Sequence, residues 1–248
     1  MFKSLAALFS LLVGWLDLFL FTTLLYVLSY LPKKLLSYFF VPLFQRWCRC
    51  FVRAIGIELR VHEQYNGTLP EQYIVIANHP SALEDIGMPS IFKVRFVAKY
   101  EVQFWWIVGR ISRAANTIFV KREDPNDRAE ALKTILNALK QGDSIGLYPE
   151  GGCYSRKIHL PFQSGAAKAS FTTNVPILPV FLYHEAQVQF EWHNQHLLHK
   201  IWQMVCSTNK QVHYYIHTPI YPKDFESIEA LKHHLEHLYL QLQQRYLE

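Results

Sequence analysis

Paired cysteines are missing from this chain. Its four cysteines, Cys48, Cys50, Cys153 and Cys206, show no CxxC spacing, so neither a zinc ribbon nor a disulfide framework is indicated, and a reducing, cytoplasm-facing compartment is expected. Charge is also scarce: Asp, Glu, Lys and Arg make up 18% of the residues, too few for a disordered chain or an unusually polar soluble enzyme. No basic run is interleaved with base-stacking aromatics, which argues against nucleic acid as a partner. No internal repeat and no low-complexity linker is visible. No Gly-x-Ser-x-Gly elbow occurs, and Ser164-Gly165 does not fill that role, which sets a serine esterase aside.

What is abundant is apolar. Hydrophobic residues reach 50% and aromatics 15% of the 248 residues, and this excess needs a location. From Leu5 to Leu31 the chain is almost wholly apolar, and at 1.5 Å rise per residue it can cross a bilayer core. The run is too long for a signal-peptide core and no small-residue cleavage site follows it. Asp17 is its awkward member, since a carboxylate at mid-bilayer costs roughly 2.5 to 3.5 kcal/mol. The net charge of +5 suits anionic lipid head groups, acidic substrates or nucleic acid alike, but its placement is informative. Lys33, Lys34, Arg46, Arg49 and Arg53 follow the apolar run closely, as on a membrane-surface protein. The stretch Leu35 to Ile55 mixes these cations with Phe39, Phe40, Leu43, Phe44, Trp47 and Phe51 and predicts an amphipathic helix at the interface. Two geometries follow. Either the first helix spans and the positive-inside bias places the remainder in the cytoplasm, or both helices dip into one leaflet. Buried core helices are the alternative to both.

After Gly56 the texture changes to short apolar runs between helical patterns: Tyr73 to Ala77, Val94 to Ala98, Thr117 to Val120, Ser144 to Tyr148 and Ile177 to Tyr183. This alternation predicts an α/β fold, a mixed sheet flanked by helices, with residues 1–55 as membrane anchor and 56–248 as one catalytic domain. Helical pattern is clearest from Pro125 to Gln141, where Asp127 can cap and Gly142 can terminate, and from Phe225 to the end.

Chemistry concentrates in four blocks. Ile74-Val75-Ile76-Ala77-Asn78-His79-Pro80-Ser81 places Asn78 and His79 just past a buried strand, at the carboxyl edge where open α/β sheets build sites. Glu84 and Asp85 lie about one turn along if Ser81 begins a helix. A carboxylate bonded to one imidazole nitrogen would leave the other free to accept a proton. Such a dyad needs no protein nucleophile, because an acceptor's own hydroxyl can attack. Ile118-Phe119-Val120-Lys121-Arg122 ends a strand in two cations able to hold a phosphate. Gly146-Leu147-Tyr148-Pro149-Glu150-Gly151-Gly152 ends a strand in a carboxylate and two glycines, which permit close backbone approach to a ligand. Val175-Pro176-Ile177-Leu178-Pro179-Val180 opens another strand. Read singly, each block has a plain structural explanation.

Together and in this order they resemble the glycerolipid acyltransferase family typified by 1-acylglycerol-3-phosphate acyltransferase. That family's Asn-His followed by an acid, Ile-Phe-x-x-Arg, Phe-Pro-Glu-Gly and Val-Pro-Ile-x-Pro-Val match roughly residues 74 to 180. Phe162, Gly165, Ala166 and Lys168 look like its stretch between the last two blocks. The resemblance implies that His79 takes a proton from an acceptor hydroxyl, which attacks an acyl thioester on coenzyme A or acyl carrier protein. Asn78 and the acid would orient His79. Arg122, Glu150 and Gly151, with Lys121 beside them, match positions that bind the glycerol phosphate part of the acceptor. No cofactor or metal is implied beyond the acyl donor as co-substrate. The expected role is acyl transfer to a lysophospholipid, 1-acylglycerol-3-phosphate first among them, in phospholipid biosynthesis or remodelling at a membrane.

Three departures stand out. The family places aspartate after four intervening residues, where this chain has Glu84. Asp85-Ile86 reproduces the acid-plus-aliphatic texture one position later and is preferred, while Glu84 keeps the spacing and adds a methylene of reach. The family's Thr-Arg-Ser after Glu-Gly becomes Gly152-Cys153-Tyr154-Ser155-Arg156, so its arginine is lost or displaced. Asn116 replaces the glycine before the second block. Two other readings use different residues. His233, Glu236 and His237 form the His-x-x-Glu-His pattern of some zinc peptidases, although Leu231, Leu235, Leu238 and Leu242 make the same stretch one amphipathic helix. A non-catalytic membrane lipid-binding protein would explain the departures by decay.

Overall fold

The computed structural model describes residues 2–192 and 197–248; the side chains of residues 2–8, 10, 33, 34, 37, 38 and 197 lie outside the description. The expected cations Lys33 and Lys34 are among them.

Two long helices come first, α1 (Phe2–Leu28) and α2 (Lys33–Ala54). The body follows as β1 (Glu58–Gln64), β2 (Ile74–Ala77), α3 (Glu84–Ile91), β3 (Arg95–Lys99), a 3-10 turn (Tyr100–Phe104), α4 (Trp106–Ala114), β4 (Ile118–Val120) and α5 (Pro125–Lys140). It continues with β5 (Ile145–Leu147), α6 (Gly165–Thr173), β6 (Ile177–His184), α7 (Gln187–Phe190), α8 (Leu197–Cys206), β7 (Gln211–His217), a 3-10 turn (Pro222–Asp224) and α9 (Ile228–Leu247). The seven strands form one sheet in the order β1-β7-β6-β2-β5-β3-β4. Every neighbouring pair is parallel except β6 with β7, so the expected mixed α/β sheet is present.

Helices cover both faces, as central strands buried on two sides require. Ile74 and Ile76 of β2 point into a core with α5, α6 and α9, represented by Ile135, Ala166 and Leu235. Val75 and Ala77 point the other way, onto Val52 of α2, Met88 of α3 and Met204 of α8. This alternation is the strand period of two. The helix after β2 therefore lies on one face, and the helix after the adjacent β5 lies on the opposite face. Such a divergence between neighbouring parallel strands opens a crevice at their carboxyl ends, where α/β folds bind ligands.

Helix α5 starts and stops on local chemistry, but its cap differs from expectation. Asp124, not Asp127, is the N-cap: its carboxylate accepts the Asn126 N–H at 2.8 Å, with Pro125 in the first turn. Asp127 instead accepts the Lys121 N–H and ties β4 to the helix. Pro125 explains the shift, since a proline is best tolerated at the first helical position and so sets the cap one residue before it. Gly142 does terminate the helix, at φ 89°, where a residue with Cβ is strained.

The first two helices form an antiparallel pair. Gly14 lets α1 approach α2 so closely that a Cβ there would lie 3.2 Å from the Ala54 Cα. The Trp47 indole N–H donates to Thr22 Oγ1 at 2.8 Å. Helix α1 buries Leu18 and Leu25 against α2 but leaves Phe9, Leu12, Leu16, Phe19, Leu20 and Val27 exposed. Among the described residues it is the one helix long and apolar enough to cross a membrane. A core helix would bury that face; this one needs an apolar surround. Helix α2 is fastened to the body: Gln45 Nε2 donates to the Ile91 carbonyl at 3.2 Å and Arg49 Nε to the Ser90 carbonyl at 2.8 Å. At the other end of the pair, Arg110 Nε of α4 donates to Ser29 Oγ at 2.9 Å.

Candidate active site

The site forms at the crevice between β2 and β5. Strand β2 ends at Ala77, so Asn78 and His79 leave the sheet at its carboxyl edge. Asn78 is buried and locks to β6: its Nδ2 donates to the Leu182 carbonyl at 3.0 Å and its Oδ1 accepts the Leu182 N–H at 2.7 Å. This side-chain pair continues the parallel ladder one residue past β2 and fixes the backbone that carries His79. The His79 ring stacks on Tyr148, at the end of β5, with centroids 4.0 Å apart and planes 10° from parallel.

The acid that meets His79 is Glu84. Its Oε2 lies 3.1 Å from His79 Nδ1 and also accepts the Ser81 N–H at 2.7 Å. Asp85, the residue preferred from sequence, lies on the first turn of α3 and makes no hydrogen bond to the ring among the described residues, although its charge acts on His79. The reason is helical phase. The helix begins at Glu84 rather than Ser81, and successive residues diverge by about 100°, so only one of the two acids reaches the ring nitrogen. Ser81 Oγ is instead used in the preceding turn, where it accepts the Leu83 N–H at 3.0 Å.

Electrostatics follow from this pairing. Burial opposes a charged His79, but the Glu84 hydrogen bond and the charges of Asp85 and Glu84 outweigh it, and the pKa is raised above 6.5. Burial likewise opposes the Glu84 carboxylate, yet hydrogen bonds from His184 and His79 overcome that cost and hold its pKa below 4.5. An ionised carboxylate only accepts hydrogen bonds, so Nδ1 of His79 carries the hydrogen. Nε2 has no protein partner among the described residues and is left as the basic atom.

Sequence reading did not single out His184, the last residue of β6. Its Nε2 lies 2.9 Å from Glu84 Oε1, and both side chains are buried. The available signal was a titratable residue closing an otherwise apolar strand.

Glu150, which the resemblance assigns to the acceptor's glycerol phosphate, is bonded to the backbone beside the ring. It is 2% exposed, and its two oxygens accept the backbone N–H of His79 at 2.9 Å and of His159 at 2.8 Å. Burial raises its pKa to about 7 against the effect of those two hydrogen bonds. In this geometry it braces the His79 backbone from below. Gly151 follows at φ 78°, and a Cβ on it would lie 2.9 Å from Gln163 Cγ. Arg122 is half-buried at the end of β4 and near enough for its charge to act on His79. Lys121 is exposed, with Nζ 4.5 Å from the Tyr100 ring centre. Asn116, standing for the family's glycine, adopts φ 58°, a conformation that asparagine tolerates better than most residues. Arg156 is bonded to α7 and the residue after it: its guanidinium donates to Gln187 Oε1 and its backbone N–H to Glu191 Oε1.

The residues of the zinc-peptidase pattern lie on α9, where Glu236 ties the helix to the body. Glu236 accepts the Phe162 N–H at 2.9 Å and pairs with Lys232 at 3.2 Å and with His233 at 3.2 Å. Among the described residues no group of three or more His, Cys, Asp or Glu side chains is arranged to hold a metal ion.

Known proteins resemble this chain. The model of the Acyltransferase family matches residues 58–183, half of the chain. A 1-acyl-sn-glycerol-3-phosphate acyltransferase from Neisseria gonorrhoeae is 26% identical over 113 residues, 46% of this chain and 44% of that protein. A lysophosphatidylcholine acyltransferase from Drosophila melanogaster is 33% identical over 128 residues, 48% of this chain and 22% of that protein. The matched stretch thus spans less than half the length of these curated relatives. The crystal structure of the 1-acyl-sn-glycerophosphate (LPA) acyltransferase PlsC from Thermotoga maritima superimposes with a TM-score of 0.70 over 98% of this chain and 97% of that one, at 21% identity, a likeness of fold. With the family model covering both strands that build the crevice and the histidine between them, the chain belongs to the acyltransferase family.

Proposed function

We propose that the chain transfers a fatty acyl group from a thioester, acyl-CoA or acyl carrier protein, to the free hydroxyl of a lysophospholipid, with 1-acylglycerol-3-phosphate as the leading acceptor. The carrying observation is the buried His79–Glu84 pair at 3.1 Å, which leaves Nε2 of the ring as a base at the mouth of the crevice. In the reaction Nε2 takes the acceptor's hydroxyl proton as its oxygen attacks the thioester carbonyl. The new oxygen–carbon bond forms, the carbon–sulfur bond breaks, and the imidazolium returns the proton to the leaving thiolate. Glu84 stabilises that imidazolium, and Tyr148 holds the plane of the ring by stacking. Arg122, with Lys121 beside it, is assigned to the acceptor phosphate; Gly151 gives close backbone approach, and Glu150 acts through the backbone of His79. The relatives' names, a 1-acyl-sn-glycerol-3-phosphate acyltransferase and a lysophosphatidylcholine acyltransferase, support this substrate class.

Residues 1–55 serve as the anchor in this reading and 56–248 as the acyltransferase domain, and the anchor geometry that fits best is one-leaflet attachment. Were α1 to span, its antiparallel partner α2 would be drawn into hydrocarbon with Gln45 and Arg49, which are bonded to carbonyls of the body. Lying at the interface, the pair puts the exposed face of α1 in lipid and the site within reach of a lysolipid head group. Incubating the detergent-solubilised protein with a labelled acyl thioester and a panel of lysolipids tests the assignment. Diacyl product is expected with phosphate-bearing acceptors, and no product with any acceptor and either donor would reject it.

A further inference from the structure

Glu84 is bonded on both oxygens to imidazoles. Oε2 takes Nδ1 of His79 at 3.1 Å and Oε1 takes Nε2 of His184 at 2.9 Å. Glu84 is fully buried, His79 is 5% exposed and His184 is 4% exposed, so the three side chains form a closed His–Glu–His row from the crevice into the body. We infer that His184 is a positioning residue for acyl transfer, which holds the Glu84 carboxylate in the orientation that pairs with His79. The inference rests on the acyl-transfer reading of the site.

Chain geometry supplies the reason. Glutamate at position 84 has one more rotatable bond than the family's aspartate, and a looser carboxylate would hold the His79 ring less well. Three fixed donors remove that freedom: the Ser81 N–H and His79 Nδ1–H on one oxygen and His184 Nε2–H on the other. The hydrogen on His184 must sit on Nε2, because an ionised carboxylate can only accept. Its Nδ1 is buried with no partner among the described residues, and the Nε2–H tautomer leaves only an acceptor unsatisfied there. His184 is itself fixed: it ends β6, whose backbone is clamped to β2 through Asn78 and Leu182, and its ring packs on buried Phe190 with centroids 5.0 Å apart. The extra methylene of Glu84 and the presence of His184 are thus one arrangement, the longer carboxylate bridging two rings.

The test compares variants of the 248-residue chain in detergent with labelled acyl-CoA and lysophosphatidate, each checked for an unchanged thermal midpoint. H184A should lower kcat roughly 10- to 100-fold, the usual cost of losing a group that orients a catalytic side chain, with the acceptor KM within about twofold. H184Q should keep most of the activity, since its amide N–H can donate to Oε1. Adding H184A to Glu84→Gln should cost little more. Equal losses in H184A and H184Q, a KM effect with kcat intact, or full additivity with Glu84→Gln would overturn the assignment. If the unmodified protein turns over no acceptor, the acyl-transfer reading fails instead. The row is then judged by long-range proton–nitrogen spectra of histidine-labelled protein. Hydrogen on Nε2 of His184, with the His79 Nδ1–H signal changed in H184A, supports the bridge, and hydrogen on Nδ1 of His184 contradicts it.

Discussion

Glu84, not its neighbour Asp85, bonds the imidazole of His79, through Oε2 at 3.1 Å from Nδ1. Glu84→Gln should therefore lower kcat/KM by up to roughly 10⁴-fold, as an amide in place of the acid beside a general-base histidine favours the wrong tautomer. Asp85→Asn, which removes a nearby charge but no bond to the ring, should cost a few-fold at most. Steady-state rates of diacyl product formation separate the two, and a reversed order would return Asp85 to the site.

The pairing also sets the pH profile. His79 must be uncharged to accept a proton, and its pKa is raised above 6.5, burial being outweighed by the Glu84 bond and the charges of Asp85 and Glu84. The acidic limb of kcat/KM should thus have its midpoint above 6.5, with activity lost as pH falls through it. In Glu84→Gln the anion is gone, the uncharged ring is favoured, and the midpoint should move to lower pH. Stability runs the other way: a raised histidine pKa stabilises the fold at low pH, and this contribution disappears as pH rises through the folded value. An acidic limb that does not move in Glu84→Gln would dissociate His79 from that limb.

Helix α3, which carries Glu84, comes very close to β7 at Gly87. A Cβ on Gly87 would lie 2.0 Å from the Tyr214 hydroxyl, so Gly87→Ala should destabilise the protein by about 1 to 3 kcal/mol through overpacking. That hydroxyl is buried without a hydrogen-bond partner among the described residues. Tyr214→Phe alone should be neutral or slightly stabilising, and it should recover most of the Gly87→Ala loss. Denaturant melts of the two singles and the double settle this, and additive losses would contradict the contact.

Arg122 is the half-buried cation at the crevice. If it receives the acceptor phosphate, Arg122→Ala should weaken a phosphate-bearing acceptor by roughly ten- to a hundredfold, as expected for about 1.5 to 3 kcal/mol in a charge-assisted hydrogen bond. A neutral acceptor should change far less. Comparing kcat/KM for both acceptors decides the role, and equal losses would remove it.

For the anchor, Leu16→Glu with Leu20→Glu places two carboxylates on the exposed face of α1. Each costs up to roughly 2.5 to 3.5 kcal/mol if carried to mid-bilayer, so co-sedimentation with anionic vesicles should fall sharply. Glu substitutions on the exposed face of α5, such as Lys133→Glu, should leave it nearly unchanged. Equal sedimentation of both variants would show that α1 is not the lipid contact.

Much of this was legible in the sequence because the site residues follow short, continuous apolar runs. Strands β2, β5 and β6 are buried along almost their whole length, and the polar residue after each run is conspicuous for that reason. Strands β1 and β7 were missed. Glu58–Gln64 is a partly exposed edge strand rich in polar residues, and in Gln211–His217 histidines and tyrosines interrupt the apolar pattern. Glu84 and Asp85 could not be separated because the choice depends on a helix start within a few residues, where sequence signals are least reliable. His184 stands out as a titratable residue closing an apolar strand, but its pairing with Glu84 was not legible, because 100 positions separate the two and only the β2–β6 pairing brings them together. Pro179 lies in a central strand, where a missing N–H is normally a fault. Here Tyr239 of α9 reaches in, its hydroxyl donating to the Ile76 carbonyl at 2.8 Å and accepting the Val180 N–H at 3.3 Å.

The base role of His79 is tested most directly by single-turnover acyl transfer from a labelled thioester to lysophosphatidate, comparing the unmodified protein with His79→Ala at equal vesicle loading. Diacyl product with the former and a loss of roughly 10²- to 10⁴-fold with the latter is the predicted result, the range a positioned general base contributes. Product formation by His79→Ala at the unmodified rate would contradict it.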